Sequence, residues 1–350
     1  MSSSRYSSFS LGSLPHEPVQ ASAMNLSERR VVVTGGAGFI GSHVVDRLTQ
    51  IGARVVVVDD LSVGTEKNLT RALDAGARLA VGDIRDAGFM AHELAGADVV
   101  VHMACDNLRA SLGKPQRSHE INATGTLSAI LAAVESGVER FVYISSSEAY
   151  GSAITTPVSE SHPMSPTTVY GAAKAAGEMY SRACMQRYGL PVTIVRPFNC
   201  YGPRAHASGD SAEVIPIFVA RILAGEPPVI SGTGSQTRDF TWVEETAVGI
   251  VAAAASDELV GDAVNIAFGR GVSIREICDM LLDILGASDL SPELADERPG
   301  DVAHHTADTG KAKRVLGFEP RVSIREGLER YVEWVLAKGP RLGLGEARVG

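Results

Sequence analysis

The 350 residues carry a net charge of −9 and contain no basic block, which excludes a nucleic acid or an anionic membrane surface as the natural partner. With 45% hydrophobic and 21% charged residues, the composition is that of a globular chain able to form one large or two modest domains. No apolar run reaches the about 18 residues of a membrane span, and the four scattered cysteines (Cys105, Cys184, Cys200, Cys278), with no C-x-x-C among them, fit a reducing cytoplasm.

Residues 1–28 open the chain with seven serines by residue 13 and no apolar signal core. They read as a disordered N-terminal extension in which Met24 is an alternative start. Order is expected from Arg30 onward. Val31–Val33 is an unbroken valine run, the pattern of a strand buried on both faces. It leads into Thr34, then Gly35, Gly36, Gly38 and Gly41, with Phe39 and Ile40 opening a helix-period segment to Ile51. Strand, glycine turn and helix together form the context of a dinucleotide site. Gly35 permits the turn, Gly38 lets a pyrophosphate reach the backbone, and Gly41 lets helix and strand pack closely. The uncapped helix N-terminus adds N–H donors and positive potential.

The second strand, Val55–Asp59, ends in an acid placed to accept from ribose hydroxyls, and Asp60 follows it. Two carboxylates at that spot favour NAD over NADP, whose 2′-phosphate they would repel. Strands at Arg78–Val81, Val99–His102, Phe141–Ile144 and Val192–Val195 continue the rhythm. Between them fall helices at Glu66–Ala75, Ala87–Ala95, Gln116–Ser136 and Val169–Arg187. The alternation predicts an α/β fold, a doubly wound parallel sheet of Rossmann type, over residues 29–197.

After Pro197 the pattern becomes irregular. Helices are expected at Val214–Ala224, Glu245–Ala255, Ser273–Leu285 and Ser323–Leu336, with strands at Pro228–Ser231, Asp239–Val243 and Ala263–Ala267. Residues 198–338 therefore read as a smaller C-terminal α/β substrate cap, too irregular to continue the parallel sheet, and residues 339–350 as a loose tail.

Two stretches carry chemistry. Tyr170 and Lys174 are one helical turn apart on a common face. A lysine ammonium there, beside a nicotinamide cation, is expected to lower the tyrosine from its usual value of about 10 and fit it as a general base. The strand Phe141–Ile144 ends in Ser145, Ser146 and Ser147 at the edge of the expected ligand crevice, where Ser146 would hydrogen-bond the hydroxyl that Tyr170 deprotonates.

With these motifs in order, the chain resembles the extended short-chain dehydrogenase/reductases of the nucleotide-sugar epimerase and dehydratase group. The resemblance runs through Thr34–Gly41, Asp59–Asp60, Gly82–Asp86, Val101–Ala104, Asn122–Thr126, Ser145–Gly151, Tyr170–Lys174, Arg196–Arg204, Thr237–Phe240 and Arg298–Asp301, covering roughly residues 30–338. It implies that Asp83 and Ile84 contact adenine and that Ala104 lies near the cofactor. It further implies a triad of Ser146, Tyr170 and Lys174, with Asn199, Arg238 and Arg298 holding the diphosphate of a nucleotide sugar. Guanidinium forks suit phosphate oxygens.

The departures bear on the reaction. The dTDP-glucose 4,6-dehydratases carry an Asp-Glu pair where this chain has Ser147 and Glu148. A serine cannot supply the aspartic proton, although Glu148 remains, as in GDP-mannose dehydratases and UDP-glucuronate decarboxylases. The segment Ala104–Ser111 is similar to one in UDP-glucuronate 4-epimerases, and there Arg109 would face a uronate carboxylate. The resemblance implies an NAD-dependent 4-epimerase of a UDP-hexose or UDP-hexuronate, with a dehydratase or decarboxylase using Glu148 as the alternative. It also implies a homodimer paired through the helices Gln116–Ser136 and Val169–Arg187, to which Ile130, Leu131, Val134, Met179, Ala183 and Met185 would contribute.

Overall fold

A computed structural model describes residues 23–297 and 302–338. The expected residues 1–22, the tail 339–350 and Arg298 lie outside the described residues. In chain order the strands and helices are β1 (Arg30–Thr34), α1 (Phe39–Gln50), β2 (Arg54–Asp59), α2 (Thr70–Asp74), β3 (Arg78–Val81), α3 (Ala87–Leu94), β4 (Val99–His102), α4 (Leu108–Gly113), α5 (Pro115–His119), α6 (Thr126–Ser136), β5 (Arg140–Ile144), α7 (Val169–Tyr188) and β6 (Val192–Pro197). They continue with β7 (Asn199–Tyr201), α8 (Val214–Leu223), β8 (Val229–Ser231), β9 (Thr237–Trp242), α9 (Val243–Ala255), β10 (Ala263–Ile266), β11 (Gly271–Ser273), α10 (Ile274–Ile284), β12 (Glu293–Ala295), β13 (His304–His305), α11 (Gly310–Leu316) and α12 (Ile324–Lys338).

Seven parallel strands form the main sheet in the order β10-β6-β5-β4-β1-β2-β3. The valine runs explain why it is buried on both sides. In β1, Val31 and Val33 pack into a core beneath α1 and α9, while Val32 points to the opposite core beneath α3, α6 and α7. Strand order reverses between β1 and β4, so the carboxyl ends of these two strands open the crevice in which such sheets bind ligands.

The clean division at Pro197 does not hold. The chain leaves the sheet after β6, builds β7 to β9, then returns: α9 covers the α1 face and β10 pairs in parallel with β6 as the seventh strand. A four-residue strand behind an alanine-rich helix has no periodicity of its own to reveal this pairing. Of the remaining C-terminal elements, α11 packs on α9 and β10, while α8, α10 and α12 form a separate core in which Phe218, Ile222, Ile277, Leu281, Leu328 and Tyr331 pack together. Residues 23–28 also belong to the fold, which corrects the expected extent of the extension. Met24 N–H donates to Ala255 C=O at 2.7 Å, and Leu26 is buried in the α1–α9 core. Residues 116–136, expected as one helix, run as α5, a π-helical stretch Glu120–Gly125 and α6.

Candidate active site

At the switch point the glycine turn is fixed by close packing. Gly35 has φ +69°, and a Cβ there would lie 2.7 Å from the Ala104 backbone. A Cβ on Gly41 would stand 2.2 Å from Gly35 C=O, so α1 can approach the turn only with glycine at 41. Gly38 is open by comparison, since its Cβ would meet only Gly35 C=O at 3.3 Å. It caps α1 with no side-chain acceptor and no acid in the first turn, leaving the helix N-terminus to a ligand. Asp59 braces the turn from below, accepting from Ala37 N–H and Leu61 N–H at 2.9 Å each, and burial pushes its carboxyl up. Asp60 is exposed and accepts from Ser62.

His102, at the end of β4, ties the turn to the adjacent strand. Its two ring nitrogens lie 2.8 Å from Thr34 Oγ1 and 3.0 Å from Thr126 Oγ1, and it stacks on Phe141 and Tyr143. Burial and the nearby Lys174 charge lower its pKa to about 3, so the imidazole is neutral. Thr34 Oγ1 in turn accepts from Met103 and Ala104 N–H.

A cavity of about 300 Å³ opens over this turn. It is lined by Gly35, Gly38, Phe39, Ile40, Gly41, Asp59, Asp60, Asp83, Ile84, Ala104, Tyr170 and Lys174, all the residues the sequence suggested for the cofactor. The fit to a dinucleotide is physical. An uncapped helix start and an open Gly38 suit a pyrophosphate, and carboxylates at the β2 end suit ribose hydroxyls.

A second cavity of about 330 Å³ joins the first and is lined by Arg109, Ser147, Glu148, Asn199 and Arg238. Ser146 and Tyr170 border both cavities. Ser146 follows β5 and caps a short turn, its Oγ accepting from Glu148 N–H at 3.2 Å. Tyr170 opens α7, a helix capped by Thr168, and the nearby Ser146 hydroxyl favours its ionised form.

One turn on, Lys174 is buried and donates to Ile144 C=O at 2.9 Å, with its ammonium 5.8 Å from the Tyr170 ring centre. The expected lowering of the tyrosine is reversed in the chain alone. Burial first, then the Cys105 thiol, pushes Tyr170 well up, and burial pushes Lys174 down. The sequence pairing considered charge and omitted desolvation, which is the larger effect here. Arg238 is also engaged, donating to Val302 C=O at 2.6 Å and Thr237 C=O at 2.9 Å.

Two residues that line the site were absent from the sequence reading. His206 borders the first cavity, and burial lowers its pKa. Glu213 borders both cavities and caps α8. Its signal was available: it is a lone charge heading the apolar run Val214–Ala220. No group of three or more potential metal ligands occurs among the described residues, and none of their helices is long and apolar enough to cross a membrane.

Known proteins are similar to this chain over most of its length. The UDP-glucose 4-epimerase of Mycolicibacterium smegmatis is 36% identical over 311 residues, 87% of this chain and 98% of that one. The crystal structure of the Thermotoga maritima UDP-glucose 4-epimerase with UDP-glucose superposes with a TM-score of 0.82 at 36% identity, covering 88% of this chain and 99% of that one. A dTDP-glucose 4,6-dehydratase from Streptomyces venezuelae, with NAD bound, gives 0.83 at 37% identity, covering 87% and 96%. The family model for NAD-dependent epimerases/dehydratases matches residues 31–267, from the first valine of β1 to just past β10, and the chain belongs to that family.

Proposed function

We propose that the chain is a 4-epimerase of a nucleotide sugar, a UDP-hexose or UDP-hexuronate, acting through a 4-keto intermediate with NAD. The observation that carries the reading is the seam between the two cavities. Ser146 and Tyr170 stand where a dinucleotide and a sugar would meet, and the sugar side is lined by Arg109, Asn199 and Arg238. NAD, when bound, supplies the reversible hydride exchange at the sugar C4.

The chain's own part is proton handling and positioning. Tyr170 takes the proton from the C4 hydroxyl, and Ser146 holds that oxygen in place. Lys174 and the nicotinamide charge offset the burial that otherwise keeps Tyr170 protonated. Asn199, Arg238 and Arg298 hold the diphosphate while the sugar turns, and Arg109, which lines the same cavity, meets the group on C6. Asp59, Asp60, Asp83, Ile84 and Ala104 hold the adenosine and nicotinamide halves of the cofactor. The protein works as a homodimer in the cytoplasm.

A second reading has one observation behind it. Glu148 faces the same cavity as Ser147, so a dehydratase or decarboxylase step could follow C4 oxidation. Incubating the enzyme with UDP-glucose and following products by NMR separates the two. UDP-galactose supports epimerisation, and a product that has lost water overturns it; the same incubation with UDP-glucuronate reads epimerisation as UDP-galacturonate and decarboxylation as a pentose product.

A further inference from the structure

The segment that leaves β7 borders both cavities before it reaches α8. His206 and Ser211 of this strap line the cofactor cavity together with Ser62, Val63 and Gly64 from the loop after β2, and Ser211 lines the sugar cavity as well. Burial lowers the His206 pKa and the Val63 backbone favours its charged form, so the strap comes close to the loop that follows β2. Between its ends the strap closes on itself. Glu213 N–H donates to His206 C=O at 3.0 Å, and Ala212 N–H donates to Gly209 C=O at 3.2 Å. Its tip, Gly209–Ser211, packs on α4.

The near end of the strap is held by α1, the helix whose start faces the cofactor site. His43 and Asp46 lie three residues apart and so share a face of α1. His43 Nε2 donates to Pro203 C=O at 3.0 Å, and Arg204 Nη2 donates to Asp46 Oδ2 at 2.6 Å. The His43 ring also meets Phe39 edge-on, and Phe39 lines both cavities. Two features mark this joint as serving position more than stability. Arg204 has φ +71°, a left-handed backbone that is costly for a residue with a side chain and that gathers at ligand clamps and switch segments. The ion pair is largely buried, yet Arg204 Nη1 and Asp46 Oδ1 have no hydrogen-bond partner among the described residues. A buried pair so incompletely satisfied adds little net stability.

We propose that Arg204 is a positioning residue that fastens this strap over bound NAD, its pair with Asp46 acting as a catch that opens when the cofactor enters or leaves. Opening the strap breaks a charged hydrogen bond, so the pair adds to the barrier in both directions. Its removal lowers the barrier to entry and to release alike and changes the affinity less. A residue that merely shapes the cavity behaves differently, since its loss speeds release without speeding entry.

The test is the entry and release of NADH, followed by its fluorescence in stopped flow, for the wild type and the variants Arg204→Gly, Asp46→Asn and Arg204→Lys. Glycine relaxes the left-handed backbone as it removes the catch, and Asp46→Asn removes the charge without touching the strap. Melting temperatures check the fold, and Arg204→Lys, which keeps the charge, carries the test if neither of the others folds. Release is expected to quicken about tenfold or more in Arg204→Gly and Asp46→Asn, the scale of one hydrogen bond to a charged group, and by less in Arg204→Lys. Entry is expected to quicken with it, so that Kd changes by less than the release rate. Unchanged release in the folded variants overturns the proposal, as does faster release with entry unchanged and Kd rising in step. Both rates are read without a nucleotide sugar, so the epimerase reading can fail while this one stands.

Discussion

Tyr170 is a residue whose surroundings set its readiness. Burial keeps it protonated in the chain alone, and Lys174 spends its nearest polar contact on Ile144 C=O rather than on the phenol. A cation arriving with the cofactor changes that balance, because an opposite charge favours the phenolate. Adding NAD should therefore lower the pH at which a tyrosine ionises, seen as a tyrosinate absorbance change that Tyr170→Phe removes. The same variant should lose about 10²–10⁴-fold in turnover, the usual worth of a positioned proton-transfer group, while still binding NAD by calorimetry.

Glu148 is the opposite case, since epimerisation asks no proton of it. Glu148→Gln should cost less than about tenfold in turnover. A loss of about 10²–10⁴-fold with reduced cofactor accumulating would place it in an elimination or decarboxylation step.

At the scale of elements, the β1–α1 unit is the most constrained part of the molecule. The helix can start where it does only because Gly41 brings no Cβ against Gly35 C=O. Gly41→Ala should separate α1 from the turn, costing about 1–3 kcal/mol as an overpacked contact and weakening NAD binding with it. Thermal melts and an NAD titration measure the two effects. If stability falls while NAD affinity holds, the helix start is not the phosphate site.

The β4 end carries a different constraint. His102 is neutral because its folded-state pKa, about 3, lies far below that of the unfolded chain. His305 in β13, lowered to about 4 by burial, adds to the effect. Below the unfolded histidine value of about 6.5, the unfolded state binds more protons than the folded one. The stability from these residues is thus complete above that pH and is lost as pH falls toward about 3 to 4. Urea midpoints measured across that window should decline with acid, and His102→Gln should flatten part of the decline.

For the whole molecule, α6 and α7 divide their apolar residues between two tasks. Ile130 packs inward against the sheet, whereas Leu131 is 40% exposed and Met179 58% exposed. Val134 and Met185 are partly buried, and Ala183 is exposed. An outward apolar face on two neighbouring helices suits a self-complementary two-fold contact, the commonest oligomer geometry. The protein is expected to be a dimer by light scattering at micromolar concentration. Leu131→Glu combined with Met179→Glu is expected to give monomer of unchanged fold. A monomeric wild type would mean that this face serves something else.

The valine strands, the glycine turn, Asp59, and the Ser146, Tyr170 and Lys174 set were legible because each is written locally. A buried parallel strand needs an apolar run, a tight turn needs glycine, and a one-turn helical spacing brings two side chains together. What the sequence could not decide depends on segments far apart in it. That β10 returns to the sheet beside β6 follows from packing between α9 and α1. That Tyr170 is raised in the chain alone follows from the burial several elements impose on it together. Charge and periodicity are properties of neighbours along the chain, whereas desolvation and cavity shape are set only when distant elements close around a group.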